Sequence, residues 1–349
     1  MSQLNADPIV TLSPEAQQQV RELLIEHGFE HHGFCEVTPA TSLNHYINWL
    51  EKGYAGEMTY LERHLPQKEN PRLLLPTAVS AIVVTTPYPQ NSESLPFKFL
   101  KIAKYAQGED YHNWFKIRVD AVVEKLKYKF KDAHFFAATD SKPILERDLA
   151  YRAGLGWVGK NTCIIDQNRG SYFLIAEILT SLGLSKADAP HPDRCGTCTR
   201  CIDACPTHAL IAPRVLDARK CISYLTIESK AVPETELRTP IGDQFFGCDI
   251  CQDVCPWNDK PIAAQPPVDH PNSNLIEEIR MILRANDENL KAIVKGTALE
   301  RSKPQGLKRN AIIVAVNLKL KGLVEEISAL KNTSNLKELA EWATNSLQS

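Results

Sequence analysis

The chain has 349 residues, of which 43% are apolar, and its formal net charge is −2 at pH 7. This length accommodates about two or three domains with cores of their own. The near-neutral charge excludes a uniformly basic nucleic-acid binder but allows a local basic patch. No segment reaches the ~18 apolar residues of a membrane-spanning helix, and the first residues show neither a secretory signal nor a twin arginine. We therefore expect a cytoplasmic protein.

The first part of the chain alternates predicted helices with short strands. Ser13 before Pro14 is typical of a helix start, because serine caps free backbone N–H groups and proline is favoured at the first helical position. Gly28 is predicted to end this helix. The run at 81–85 is continuously apolar or β-branched, which is typical of a strand buried on both faces. Further helices are predicted at 43–50 and 110–131, and further strands at 34–37 and 135–138.

Asp140 comes just after the predicted strand at 135–138. In open α/β sheets, ligands bind beyond the carboxyl ends of the strands, and this is where a catalytic carboxylate would lie. The local sequence Thr-Asp-Ser-Lys-Pro is equally typical of an ordinary turn or helix start. From the residues alone, a catalytic Asp140 and a turn-forming Asp140 both stay open.

The segment from Gly154 to Gly159 matches the G-x-G-x-x-G pattern of dinucleotide-binding loops. Such a loop follows a strand and opens a helix, whereas here a helical pattern precedes the glycines and an apolar strand at 163–165 follows them. We therefore reject a nicotinamide cofactor. The glycines are instead interpreted as allowing the backbone to approach another large ligand, with Arg147 and Lys160 able to contact its polar edges.

Eight of the ten cysteines lie in the segment 195–255. The first run is C-x2-C-x2-C-x3-C-P, the second is C-x2-C-x3-C-P, and Cys221 stands between them. This spacing is typical of two 4Fe-4S clusters, in which the fourth cysteine of a run binds the other cluster. We expect the first cluster on Cys195, Cys198, Cys201 and Cys255, and the second on Cys205, Cys221, Cys248 and Cys251.

Two other uses of these cysteines fit the spacing less well. Zinc sites use separated C-x2-C pairs that close one tetrahedron, and they leave no place for a third cysteine in the same run. Disulfides are typical of small secreted domains, whereas this chain is long and shows no secretory signal. Outside the two runs, Cys35 lies among apolar residues and is predicted to be an inert core thiol.

The last part of the chain is predicted to be helical. Residues 262–271 are rich in proline and predict a linker. Four apolar stripes at helical spacing follow within 275–343, and they predict a small HEAT-like domain. Between residues 291 and 321, which we call the basic stretch, eight Lys or Arg residues accompany one acid, Glu300. Either a solvated helix face or a phosphate-binding patch explains this excess.

An ordered set of motifs resembles the epoxyqueuosine reductase family, from about residue 43 to residue 317. The motifs are LLLPTAVSAIVV, GEDYH, TDSKPILERDLAYRAGLGWVGKNT and the two cysteine runs with CISYLTIE between them. Members of that family use cobalamin and two 4Fe-4S clusters to reduce epoxyqueuosine to queuosine at the wobble position of tRNA. The resemblance implies an α/β (α+β) cobalamin-binding catalytic domain at 1–185, a bacterial-ferredoxin-like two-cluster domain at 186–262 and a small all-α HEAT-like domain at 272–349.

The resemblance also implies roles for single residues. Asp140 matches the family's proton donor. Ala103 stands where some members have a cysteine above the cobalt, so no cobalt–sulfur contact is expected. Positions near the corrinoid are matched by Lys68, Arg147, Lys160, Asn161 and Ser223. Because tRNA phosphates need cations, we expect contacts from residues at a predicted helix start in the basic stretch, namely Lys303, Lys308 and Arg309.

The expected chemistry agrees with this resemblance. The clusters supply single electrons, and Asp140 delivers a proton to the epoxide oxygen if burial keeps its carboxyl protonated. The chain lacks a D-x-H-x-x-G stretch, so no histidine is obviously placed as a lower cobalt ligand. We further expect an external one-electron donor, a monomer and no membrane contact.

Two other functions are possible. A reductive dehalogenase-like reductase of small molecules would share the catalytic core, but the missing twin arginine and the basic stretch disfavour it. A plain electron-transfer protein would need far fewer than the about 190 residues that precede the clusters. The leading hypothesis is therefore a tRNA-modifying reductase.

Overall fold

The computed structural model describes residues 9–88, 95–259, 272–332 and 335–348. The predicted linker at 262–271 lies outside these residues. The chain folds into two compact units: the first comprises Met1–Lys52, Thr59–Tyr88 and His112–Thr197, and the second Gly53–Met58, Pro89–Tyr111 and Cys198–Ser349. The three-domain division stays a prediction. Within the described ranges, no helix is both long and apolar enough to cross a membrane.

Most of the described chain is helical or extended. The helices are α1 (Pro14–Glu26), α2 (Leu43–Glu51), α3 (Tyr60–Arg63), α4 (Leu65–Glu69), α5 (Tyr111–Lys129), α6 (Glu146–Arg152), α7 (Arg200–Asp203), α8 (Ile222–Ile227), α9 (Thr235–Arg238), α10 (Ile250–Asp253), α11 (Asn272–Arg284), α12 (Asp287–Ile293), α13 (Lys303–Asn317), α14 (Val324–Ala329) and α15 (Lys337–Gln348). The strands are β1 (His32–Glu36), β2 (Ser80–Pro87), β3 (Lys101–Ile102), β4 (Phe135–Thr139), β5 (Trp157–Val158), β6 (Ile164–Ile165), β7 (Phe173–Thr180), β8 (Leu210–Ala212), β9 (Val215–Leu216) and β10 (Gln244–Phe246).

Local signals in the sequence mark the ends of these elements well. The Ser13 side chain accepts a hydrogen bond from the Ala16 backbone N–H at 3.1 Å, and α1 begins at the following proline. Gly28, just beyond this helix, has φ +78°, a left-handed conformation that glycine adopts without strain. The other helices and strands predicted in this part of the chain are also present.

The first unit is built on a four-stranded sheet with the order β1–β2–β7–β4, and all three strand pairs are antiparallel. β2 is buried over all but its last residue, as its continuous apolar run predicts. We expected Asp140 to lie in a ligand site at the carboxyl ends of the strands of an open α/β sheet. That rule applies to parallel strands, so it does not explain the position of Asp140 in this antiparallel sheet. Asp140 nevertheless follows β4 directly.

One face of this sheet packs against α6. Cys35 lies in that core with Leu149 and Leu179 and is 3% exposed. Burial raises the pKa of its thiol to about 12, so the thiol stays protonated at neutral pH. The prediction of an inert core thiol is confirmed.

The glycine-rich segment follows α6 and leads into the antiparallel hairpin of β5 and β6, so the rejection of a dinucleotide loop is confirmed. The interpretation that these glycines allow the backbone to approach a large ligand is not supported. A Cβ atom on Gly156 would lie 2.3 Å from the Ile165 carbonyl oxygen, and one on Gly154 would lie 2.7 Å from the Ala189 carbonyl oxygen. These two glycines allow the protein's own backbone segments to pack closely.

The second unit combines the cysteine-rich segment with the last helices. β3 pairs in parallel with β10, and β8 and β9 form a hairpin. α13 packs against α11, α12, α15 and β10. Its predicted apolar stripe is buried at Ala311, Ile312 and Ala315, whereas Leu318, the fourth residue of that stripe, is 40% exposed just beyond the end of the helix. This part is a small all-helical bundle, which agrees with the predicted HEAT-like region.

Candidate functional site

Asp140 lies just beyond β4 and is within hydrogen-bond distance of His112 at the start of α5. The His112 Nε2 and Asp140 Oδ2 atoms are 3.2 Å apart. The Asp140 side chain is 53% exposed in this structure. The protein by itself therefore does not provide the burial that was expected to keep this carboxyl protonated.

Lys68 is a buried cation beside this pair. Its Nζ atom donates a hydrogen bond to the Ile144 carbonyl oxygen at 3.2 Å and lies 5.2 Å from the centre of the Tyr46 ring. Burial lowers the pKa of Lys68, and the negative charges of Glu146 and Asp140 oppose that effect. The structure thus brings Lys68 and Asp140, which are far apart in the sequence, within electrostatic range of each other.

α6 contributes two more charged residues, Glu146 and Arg147. Burial, followed by the negative charge of Asp140, raises the pKa of Glu146 to about 7. The Arg147 Nη1 atom donates a hydrogen bond to the Thr162 carbonyl oxygen at 3.2 Å. Charged groups that share a site and shift each other's pKa values are a common property of active sites.

Glu177 is the deepest member of this charged group. It lies in the middle of β7, opposite Val83 and Ala138, and is 1% exposed. Its Oε1 atom has no hydrogen-bond partner in the structure. Burial raises the pKa of Glu177 well above its ordinary value, and the negative charges of Glu146 and Asp140 raise it further. Burial and these neighbouring charges therefore favour the protonated form of the Glu177 carboxyl.

Sequence reasoning missed His112, Glu146 and Glu177. Glu177 had a usable signal, because it is the single charged residue in the strand FLIAEILT. A lone acid in an otherwise apolar, buried strand is unusual and points to a special environment.

Lys160 and Asn161 follow the β5 strand in the first unit. The Lys160 Nζ atom donates to the Gly196 carbonyl oxygen at 2.7 Å, which ties it to the first cysteine run. Asn161 is 4% exposed, and its Oδ1 atom accepts a hydrogen bond from the Cys163 backbone N–H at 3.2 Å. These contacts fix the positions of both side chains in the loop.

Ala103 and Ser223 belong to the second unit. Ala103 is 3% exposed and its backbone N–H donates to the Phe246 carbonyl oxygen at 2.8 Å. The Cβ atom of a residue larger than glycine at position 247 would lie 2.6 Å from the Ala103 Cβ atom. Ser223 lies in the first turn of α8, two residues after Cys221.

Three cysteines of the second predicted cluster influence one another electrostatically. The pKa of Cys248 is raised to about 12, mainly by burial and in part by negative charge on Cys221 and Cys205. Burial also raises the pKa of Cys221, with a further contribution from Cys205. Each of these thiols therefore lies within electrostatic range of the other two. α7 and α10, which carry Cys201 and Cys251, pack against each other.

Several N–H groups point at cysteine sulfurs. The Trp157 indole Nε1 donates to Cys195 Sγ at 3.4 Å, and the Ala209 backbone N–H donates to Cys205 Sγ at 3.3 Å. Hydrogen bonds to sulfur are a regular feature of iron–sulfur sites, where they stabilise negatively charged thiolates. The donors around these cysteines therefore fit a cluster-binding role.

Comparisons with known proteins now identify the family. Residues 68–141 match the family model described as epoxyqueuosine reductase QueG, DUF1730, and residues 194–258 match the 4Fe-4S double cluster binding domain. An epoxyqueuosine reductase of Cyclobacterium marinum is 38% identical over 302 residues, which cover 84% of this chain and 94% of that protein. One from Vibrio cholerae is 36% identical over 306 residues, which cover 86% and 82%. The chain belongs to the epoxyqueuosine reductase family. The predicted resemblance is confirmed.

Solved structures of epoxyqueuosine reductases share the fold. A crystal structure with an epoxyqueuosine-modified tRNA-Tyr stem loop matches with a TM-score of 0.84 and 28% identity, over 96% of this chain and 91% of that chain. The enzyme of Streptococcus thermophilus matches with a TM-score of 0.81 and 26% identity, over 95% and 90%. A structure of the Bacillus subtilis enzyme matches with a TM-score of 0.81 and 28% identity, over 95% of this chain and 91% of that chain. In that structure a catalytic aspartate loop is swung out of the active site.

Arg309, which was expected to contact tRNA phosphates at the surface, is buried in this structure. Arg309 is 2% exposed. Its guanidinium donates to the carbonyl oxygens of Ser229, Leu225 and Ala231, at 2.5, 2.6 and 3.0 Å. The surface role predicted for Arg309 is therefore wrong, because α13 turns this side chain into the core, where it holds three backbone groups.

The other two predicted phosphate contacts differ in exposure. Lys308 is 7% exposed, and its Nζ atom lies 3.5 Å from Asp287 Oδ1, so little of it is accessible to a phosphate. Lys303 is exposed at the first position of α13. It lines a cavity of about 260 Å³ together with Lys291, Lys295 and Glu300. We call this the lysine cavity.

Proposed function

We propose that this protein reduces epoxyqueuosine to queuosine at the wobble position of tRNA. The observation that carries the proposal is the match to an epoxyqueuosine reductase over 84% of this chain and 94% of that protein. The match to a structure that holds an epoxyqueuosine-modified stem loop supports tRNA as the substrate. We further propose an external one-electron donor, a monomeric enzyme and a reducing cytoplasm, where thiolate ligands survive.

The two 4Fe-4S clusters are assigned by spacing. The first would be held by Cys195, Cys198, Cys201 and Cys255, and the second by Cys205, Cys221, Cys248 and Cys251. The electrostatic interaction among the thiols at 205, 221 and 248 supports the second set, including the isolated Cys221. The N–H donors at Cys195 and Cys205 support thiolate ligands in both sets.

Cobalamin would be held by Lys68, Arg147, Lys160, Asn161 and Ser223. The fit rests on donor chemistry, because cationic and amide side chains suit the amide groups at the edge of a corrin ring. Ala103 has no donor atom in its side chain, so no cobalt–sulfur contact arises there. When bound, cobalamin supplies the two-electron reduction of the epoxide with single electrons that come from the clusters.

The chain's own residues supply the proton chemistry. Conversion of an epoxide to an alkene and water consumes two electrons and two protons. Asp140 delivers one proton to the epoxide oxygen as a general acid, and solvent supplies the other. His112, 3.2 Å away, positions the Asp140 carboxyl. Because the Asp140 side chain is 53% exposed, its carboxyl is accessible to a bound substrate.

Cations of the basic stretch bind the phosphates of the tRNA backbone. Lys291, Lys295 and Lys303 line the lysine cavity, and a single acid, Glu300, lies among them. Such contacts fix the position of the RNA and carry no base specificity. The specificity for the modified base would come from the pocket over the corrinoid.

Anaerobic reconstitution tests this function. Protein loaded with iron, sulfide and cobalamin is mixed with a chemical reductant and a stem loop carrying epoxyqueuosine, and the nucleosides are separated by mass. Queuosine is expected only when cobalamin is included. The same stem loop without the epoxide, and a halogenated phenol as an alternative substrate, serve as controls. Absence of queuosine from protein whose visible spectrum shows both cofactors would exclude the proposal.

A further inference from the structure

Trp157 contacts a cysteine of the first run through its only polar atom. The ring is 1% exposed, and its Nε1–H donates to Cys195 Sγ across 3.4 Å. Tryptophan has a single hydrogen-bond donor and no acceptor, and when buried it usually finds a partner. Here the partner is a sulfur predicted to bind iron.

Both ends of this hydrogen bond are held in place. The backbone of Trp157 pairs with Ile165 in the β5–β6 hairpin, and Gly156 before it leaves room for the Ile165 carbonyl oxygen. On the sulfur side, the Cys195 backbone N–H donates to Asp193 Oδ1 at 2.8 Å. The Lys160 Nζ atom donates to the next carbonyl, that of Gly196, at 2.7 Å. Backbone pairing and hydrogen bonds therefore hold both the donor and the sulfur in place.

Another aromatic ring holds the indole plane. The His191 ring lies 5.2 Å from the Trp157 ring, with 37° between their planes. A ring packed in this way cannot rotate its N–H away from the sulfur without disturbing its neighbours.

We propose that Trp157 is a positioning residue that raises the reduction potential of the cluster bound through Cys195. The inference rests on the proposed assignment of Cys195 as a cluster ligand. Reduction adds one electron to the cluster and increases the negative charge on its sulfurs. An N–H donor stabilises that charge more in the reduced state than in the oxidised state, so reduction becomes easier. Trp157 thereby makes this cluster a better electron acceptor.

The test is a redox titration of holoenzyme carrying Trp157→Phe, followed by electron paramagnetic resonance. Phenylalanine keeps an aromatic ring but has no N–H group. One net hydrogen bond corresponds to about a two- to tenfold change in the ratio of oxidised to reduced cluster at a fixed potential. A tenfold change is about 59 mV for a one-electron couple. We expect one cluster to shift to a more negative potential and the other to stay unchanged.

Trp114→Phe is the matched control, because it makes the same chemical change on α5, where the ring packs beside Phe115. Both cluster potentials should be those of the wild type in that variant. If Trp157→Phe keeps both clusters with unchanged potentials, Trp157 only packs the hairpin and the proposal is overturned.

A second variant covers the case in which Trp157→Phe loses a cluster. Benzothienylalanine at position 157 keeps the size and shape of the indole and replaces N–H by sulfur. A negative shift of one cluster supports the proposal, and unchanged potentials overturn it. These readouts need no tRNA. They stay informative if the protein turns out to reduce another substrate, whereas failure of the proposed function appears as a missing product.

Discussion

The buried position of Arg309 leads to a prediction that separates folding from RNA binding. Arg309→Met removes the guanidinium but keeps a long apolar side chain. It leaves the carbonyl oxygens of Leu225, Ser229 and Ala231 without their donor. A buried acceptor left unpaired costs about 1–3 kcal/mol. Two of the three hydrogen bonds are fully buried and the third is partly buried.

These costs combine to a loss of about 3 kcal/mol in the free energy of unfolding. The sum takes about 1.5 kcal/mol for each fully buried carbonyl and less for the third. Removal of a desolvated charge offsets the loss in part, since burial lowers the pKa of Arg309 to about 10. For a unit of this size, the melting temperature should fall by about 6–12 °C.

Lys303→Met is the matched control, because it makes a similar change on the same helix at an exposed position. Its effect on stability should stay within about 0.5 kcal/mol. Anaerobic thermal denaturation of both variants measures this difference. Binding of a stem loop, measured at several salt concentrations, should distinguish the variants in the opposite way. Each lost phosphate contact reduces the slope of log binding constant against log salt concentration by roughly 0.7–0.9. We expect this reduction for Lys303→Met and not for Arg309→Met.

The opposite pattern would refute this reasoning. If Arg309→Met melted like the wild type and flattened the salt dependence of binding, Arg309 would be a surface contact. A simultaneous replacement of both residues could not distinguish these cases, because unfolding also reduces RNA binding.

Three further predictions concern the cofactors and the charged group. Cys221→Ser should lose one of the two clusters, and so about half of the expected eight iron atoms. Cys35→Ser is the control and should lose none. Full iron content of Cys221→Ser in metal analysis would exclude the proposed ligand sets. Asp140→Asn should keep cobalamin and both clusters but lose turnover by about 10²–10⁴-fold, and activity within about twofold of the wild type would leave Asp140 as a turn residue. Glu177→Gln removes a carboxyl whose pKa in the folded protein is raised above the ordinary 4.5. The folded wild type keeps a proton that the unfolded chain releases above this pH, so its stability falls as pH rises, by up to about 1.4 kcal/mol per pH unit. The stability advantage of Glu177→Gln should therefore grow from about pH 5 upward in denaturation experiments, and a pH-independent difference would show that Glu177 is ionised.

Short-range patterns in the sequence determined much of this protein. The cysteine spacing predicts two clusters because a tight loop wraps one cubane and its fourth cysteine reaches the next. The cap at Ser13, the apolar run of β2 and the stripes of the last helices predict elements that are all present. Each signal depends on residues a few positions apart, which the chain keeps close in any fold.

Burial of charged side chains was decided only by the tertiary structure. The sequence assigns Arg309 to a basic surface because its neighbours in sequence are cations, yet its acceptors lie 78 to 84 residues away. The Asp140–His112 pair spans 28 residues and the Trp157–Cys195 bond spans 38. A charged residue has the same helical periodicity whether it meets solvent or buried carbonyl groups. Only the packing of distant segments supplies those partners, and the partners decide whether the side chain binds a ligand or holds the fold.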